Sequence, residues 1–193
     1  TYRLLLRSGL INAEKYLAQY NEFLTDYYLS DVRNENNQRV LKDFFSNYAV
    51  SKLPYRRGFL LATKWNRIIV DQSNGKKTLD DVMQNIFRDA KQKKIKQLSK
   101  EYLIGILSKY ANYDFAADIE KYAENGETIG NFAGVFGSCV ETFETKFGKF
   151  ELGFSNNSLK DKVVSGVIKD GSAYQAGLRD GQKLLGFSVY GGD

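Results

Sequence analysis

The chain has 193 residues, 42% of them hydrophobic and 14% aromatic, with a formal net charge of +5. That is enough apolar material for one core, or one core with a small module, and it argues against disorder. With no histidine and one cysteine, Cys139, the chain holds no HExxH zinc motif, no Ser-His-Asp or Cys-His catalytic pair and no internal disulfide.

In chain order, residues 3–8 read as the end of a helix with Gly9 just past it. Asn12 caps a second helix, whose residues Tyr16, Leu17, Tyr20, Phe23, Leu24, Tyr27 and Tyr28 recur at three- and four-residue steps. Residues 31–40 read as a polar connection, and 41–50 as a short helix or an irregular segment. A helix is expected over about 54–70, with Pro54 in its first turn, where a missing N–H costs nothing. Tyr55, Phe59, Ala62 and Ile69 would share its apolar face. Gly58 inside it costs about 1 kcal/mol relative to Ala and suggests the close approach of another backbone or a ligand. Thr78 and Asp81 have capping-box spacing ahead of an apolar stripe of Leu79, Val82, Met83, Ile86 and Phe87. Ser99 and Asp114 cap two further helices. The lysine-rich stretch 91–100 reads as a solvated helix end, where cations favour the dipole, and not as a nucleic-acid surface.

After about residue 137 the pattern changes. Residues 139–147, 149–154, 162–168 and 183–190 read as strands between turn residues, with a helical stretch at 172–178. The expected architecture is a mainly α helical lobe over 1–137 and a small, incomplete β module over 138–193. Two stretches of the module carry a resemblance. "ELGF", Glu151 to Phe154, is similar to the carboxylate-binding loop of PDZ domains, and residues 167–187 resemble the stretch that follows it in that family. The resemblance implies that Leu152, Gly153 and Phe154 bind the C-terminal carboxylate of a peptide. Backbone N–H groups around a glycine form an anion nest, and a strand edge beside it accepts the peptide. The chain stops at Asp193, before the strands and helix that would complete such a domain.

The helical lobe carries a second resemblance. "LLLRSGLINAEKYL" (4–17), "PYRRGFLLA" (54–62), "GKKTLDDVMQNIF" (75–87) and "KYAENGETI" (121–129) occur in that order. Together with the PDZ-like stretch they resemble the glycyl aminopeptidase family of zinc metallopeptidases, in which a thermolysin-like catalytic domain precedes a PDZ domain. In that family a Tyr-x-Lys-Gly motif opens the helix, and the matching residues are Tyr55, Arg57 and Gly58, with arginine in place of the usual lysine. The resemblance implies that Tyr55 is a catalytic oxyanion donor and that Arg57 and Gly58 line the substrate. It also implies zinc in the parent protein, held by residues upstream of Thr1 and by none of the glutamates here. A phenol suits such a role, and losing one oxyanion donor typically costs about 3 kcal/mol of transition-state stabilisation.

The chain is thus expected to be a C-terminal fragment of a zinc-dependent aminopeptidase that hydrolyses peptides with small N-terminal residues such as glycine. The fragment alone would neither bind zinc nor cleave peptides. The alternative is a non-catalytic peptide-binding or scaffold protein with a degenerate peptidase domain. Expected partners are peptide or protein substrates and, through exposed β edges, other copies of the chain. No run of about 18 apolar residues exists to span a membrane. The expected state is soluble, cytoplasmic or periplasmic, and nucleic acid is not an expected partner.

Overall fold

The computed structural model describes residues 2–92, 95–130, 134–143 and 151–186, and it divides the chain into two compact units, residues 1–143 and 144–193. The first unit is helical. Its elements are α1 (Tyr2–Arg7), α2 (Ala13–Tyr28), α3 (Asn37–Asp43), α4 (Tyr48–Gln72), α5 (Leu79–Lys91), α6 (Lys100–Leu107) and α7 (Phe115–Asp118). A π-helical segment (Ile119–Glu124) continues α7. The helix starts follow side-chain chemistry. Asn12, Asn36, Asn47, Ser99 and Asp114 each accept a backbone N–H of the first turn, and Thr78 and Asp81 form the reciprocal capping box expected for α5.

Two boundaries differ from the sequence reading. The polar connection contains α3, and α4 begins at Tyr48, six residues before Pro54. Both differences come from asparagine caps, Asn36 and Asn47, which accept from the Arg39 and Val50 N–H groups at 2.9 and 3.1 Å. Pro54 therefore lies inside the helix, where it cannot donate to the Val50 carbonyl.

The earlier start also sets a different register. The buried stripe of α4 runs through Val50, Leu53, Arg57, Leu60, Leu61, Trp65 and Ile69. Arg57, and not Tyr55, falls on the inner face. α4 packs against α2, α3, α5 and the π segment, and its stripe joins Tyr20, Tyr27, Val82, Leu107, Phe115 and Ile129 in one core. Trp65 meets Phe115 edge-on with ring centroids 5.7 Å apart.

A polar cluster crosses the edge of this core. Buried Asp118 accepts from Lys64 Nζ (2.7 Å), Trp65 Nε1 (2.8 Å) and the Tyr113 hydroxyl (3.0 Å). The Lys64 ammonium also lies 5.3 Å from the centroids of the Tyr113 and Tyr122 rings. The wide π turn, closed by Asn125 N–H to the Glu120 carbonyl at 2.8 Å, lets both Asp118 and Tyr122 face inward. Burial lowers the pKa of Lys64, but its hydrogen bonds with Asp118 and Tyr113 and the Asp118 charge outweigh burial and hold it above the ordinary lysine value. That contribution is complete below the ordinary lysine range and is lost as pH rises through the raised value.

The second unit corrects the expectation of a PDZ-like β module. Among its described residues there is no strand or sheet. An antiparallel bridge joins Val163 and Lys183, and two short helices, α8 (Asn157–Asp161) and α9 (Ser172–Gln175), occupy the rest with turns. The reason is visible in the backbone. Lys162, Gly166 and Asp170 all have left-handed φ values, of 54°, 65° and 63°. Lys162 and Gly166 fall within the expected strand 162–168, and Asp170 just past it, so extended backbone is interrupted inside the run and turned away after it. Residues 144–147 and 187–190 of two expected strands, and the start of 149–154, lie outside the described residues. Around the bridge, Val164 N–H donates to the Gln182 carbonyl and Gly181 N–H to the Val164 carbonyl, both at 2.8 Å. Buried Ser158 accepts the Ser165 N–H at 2.9 Å and replaces ladder bonds with a side-chain one.

Removing the acceptor at the core edge takes the carboxylate from Lys64 and the acceptor from Trp65 Nε1. Asp118→Ala is expected to cost about 3–5 kcal/mol, read from the shift of the urea unfolding midpoint. A loss within about 0.5 kcal/mol would show that the cluster is solvated and structurally idle.

Candidate functional site

The residues of the Pro-Tyr-Arg-Arg-Gly stretch diverge in the structure because consecutive positions on a helix point about 100° apart. Tyr55 and Arg57 therefore end on opposite faces of α4. Tyr55 is 64% exposed and lines an open hollow of about 400 Å³ with Phe23 and Asp26 of α2 and Tyr48, Lys52 and Arg56 of α4. Positions 48, 52, 55 and 56 stand at i, i+4, i+7 and i+8, the spacing of a single helix face. Phe23 forms the apolar wall and is held by stacking on Phe59, with centroids 4.4 Å apart. Arg56 donates to Asp26 Oδ2 at 3.1 Å, which ties α4 to α2 beside the phenol. Lys52 Nζ lies 4.9 Å from the centroid of the Tyr48 ring.

Arg57 is 4% exposed. Its guanidinium donates from Nη2 to the carbonyls of Arg33 (2.7 Å) and Glu35 (2.6 Å). Burial lowers its pKa, opposed by hydrogen bonding and charge from Tyr27 and by the charge of Glu35. The group that the family resemblance assigns to substrate is engaged with the loop 30–35. Gly58 is exposed, and no atom lies within 4 Å of the Cβ that a side chain would add. The close neighbour expected at Gly58 is therefore not found among the described residues.

The loop that Arg57 holds is fixed from its other side as well. Gly126 has φ +75°, and a Cβ there would stand 2.5 Å from the Asn34 carbonyl oxygen and 2.7 Å from that of Glu35. Asn34 Nδ2 donates to the Gly126 carbonyl at 3.1 Å and to Thr128 Oγ1 at 2.7 Å. Beyond it, the Tyr27 hydroxyl accepts the Ile129 N–H at 2.9 Å and the Tyr28 hydroxyl donates to the Ile129 carbonyl at 2.8 Å. The sequence reading missed this part of the architecture. Its signal was the Asn-Gly pair at 125–126, which marks a left-handed turn, together with tyrosines on the inner face of α2.

At the second candidate site, Leu152 and Phe154 are half-buried and Gly153 is buried. Gly153 has φ +73°, its added Cβ would lie 2.8 Å from the Ala173 Cβ, and its carbonyl accepts the Ile168 N–H at 2.8 Å. The glycine is required for packing against α9. Among the described residues no strand stands beside the loop to offer the sheet edge that peptide addition at Leu152, Gly153 and Phe154 would use.

The sequence has no histidine, and among the described residues no three of Cys, Asp and Glu gather closely enough to hold a metal ion. Among the described residues no helix is long and apolar enough to cross a membrane.

Two substitutions separate the roles of Tyr55 and Arg57. Arg57→Met leaves two buried carbonyls without their donor and is expected to cost about 2–4 kcal/mol in urea unfolding, with Arg57→Lys milder. Tyr55→Phe, on the exposed face, is expected to stay within about 0.5 kcal/mol of the parent chain in the same measurement. Compared with known proteins, the chain matches no family model and no curated protein.

Proposed function

We propose that this chain supplies the helical lobe of a zinc-dependent aminopeptidase that hydrolyses peptides with small N-terminal residues such as glycine, with Tyr55 as its oxyanion donor. The reading rests on the resemblance of the helical segments to the glycyl aminopeptidase family, which also supplies the preference for small N-terminal residues. The single observation that supports it is the outward position of Tyr55 on the rim of the hollow between α2 and α4. An inward phenol would have no access to a peptide.

In this reading the Tyr55 hydroxyl donates a hydrogen bond to the carbonyl oxygen as that oxygen gains negative charge during the addition of water. The Arg56–Asp26 bond keeps the neighbouring turn of α4 against α2, so the donor stands on a fixed wall. Phe23 offers an apolar surface opposite. In this reading the zinc belongs to another part of the parent protein, as the family resemblance implies.

The test is Tyr55→Phe in the parent protein, assayed on a glycyl chromogenic substrate. The expected result is a kcat lower by about 100- to 1,000-fold, with zinc content unchanged by metal analysis. An unchanged kcat overturns the role of Tyr55.

A further inference from the structure

The hollow beside Tyr55 has more chemistry than an oxyanion donor needs. It is lined by two cations, Lys52 and Arg56, and by one carboxylate, Asp26. Arg56 is already bonded to Asp26 at 3.1 Å, and only 17% of its side chain is exposed. Lys52 has no carboxylate partner among the described residues, and its ammonium rests against the Tyr48 ring. The hollow thus carries one net positive charge, on the side chain one helical turn before Tyr55.

We propose that Lys52 makes this hollow a carboxylate-binding subsite for the leaving-group side of the peptide. The inference rests on the aminopeptidase reading of Tyr55 and adds a substrate class to it: di- and tripeptides with a free C-terminus, or peptides with an acidic side chain just beyond the scissile bond. The spacing fits. Three residues of α-helix rise about 4.5 Å, and one extended residue spans about 3.5 Å. A carbonyl facing Tyr55 therefore brings a carboxylate one or two residues onward to the turn that carries Lys52. The Tyr48 ring under the ammonium limits its wandering without neutralising it. The wall formed by Phe23, stacked on Phe59, receives the intervening side chain.

The test is a binding titration, independent of turnover. The ¹⁵N-labelled chain is titrated at pH 7 with Gly-Ala, with Gly-Ala amide and with Gly-Glu amide, and the amide signals of residues 48–56 are followed. Gly-Ala is expected to move these signals and Gly-Ala amide is not. Lys52→Met is expected to weaken the Gly-Ala response at least about tenfold, and Lys52→Arg to retain it. A response to Gly-Glu amide assigns the subsite to acidic side chains as well, and its absence assigns it to the C-terminal carboxylate alone. Equal responses to Gly-Ala and its amide, no response to any of the three, or an undiminished response in Lys52→Met overturns the proposal. None of these outcomes depends on kcat, so the oxyanion role of Tyr55 stands or falls separately.

Discussion

The helical unit depends on a buried cation that has backbone carbonyls where an ion pair would be expected. Arg57 leaves water to donate to the Arg33 and Glu35 carbonyls, and those carbonyls belong to a short loop that has no regular partner of its own. Taking a guanidinium out of water is costly unless its donors are used. Nη2 serves two part-buried carbonyls of one loop, which need a donor in turn, while the buried Nε has no hydrogen-bond partner among the described residues, so part of that cost stands. Glu35 adds a favourable charge nearby. The loop is then clamped between α4 and the turn at Gly126, where no side chain fits. α2 ends at Tyr28 and enters this loop directly. The clamp thus sets where the end of α2 lies against α4, and with it the width of the hollow that Phe23 and Asp26 wall from one side and Tyr48, Lys52, Tyr55 and Arg56 from the other.

α4 carries these demands on different faces. Its inner stripe is apolar except for Arg57, and its outer face near the N-terminus is cationic and phenolic. Further along, Lys64 and Trp65 turn to Asp118 at the start of the π segment. The helix is therefore tied on adjacent residues, by Arg56 to Asp26 of α2 and by Arg57 to the loop carbonyls, and about two turns further on by Lys64 and Trp65 to Asp118 at the end of α7. The ties lie on different sides of the helix, so rotation of α4 about its axis would break at least one of them. A surface held this way suits a donor that must meet a developing charge without rearranging.

The amino-acid sequence carried the helices well where side-chain caps and apolar periodicity agreed. α2, α5 and α6 start at the residues that Asn12, Thr78 and Ser99 predict. It was misread where a polar residue occupied an inner position. With Arg57 assigned to substrate by the resemblance, the apolar face of α4 was set through Tyr55, about two residues around the helix from where it lies. Asn47 offered the correction, since a helix capped there puts Val50, Leu53, Arg57 and Leu60 on one stripe. The β module failed for a different reason. The strand reading of 162–168 rested on its place between turn residues, whereas a strand also needs φ to stay negative, and Lys162 does not announce a left-handed φ by residue type as Gly166 does. A family-like string of residues gave no independent check on that backbone.

The four residues 55–58 therefore do not act as one motif. Tyr55 and Arg56 face the hollow, Arg57 faces the core, and Gly58 faces open space. This division bears on the arginine that stands where the resembling family has a lysine. A substrate contact at that position would make the exchange a change of chemistry, because the two cations differ in shape and in donor geometry. A carbonyl clamp makes it a change of degree: an ammonium can reach one or both carbonyls, while the forked guanidinium donates to both from one nitrogen with its plane held by packing. Arginine at 57 is then compatible with an intact rim at Tyr55, and the positive charge on this stretch has two separate uses, an inner one in architecture and an outer one, through Lys52 and Arg56, in the electrostatics of the hollow.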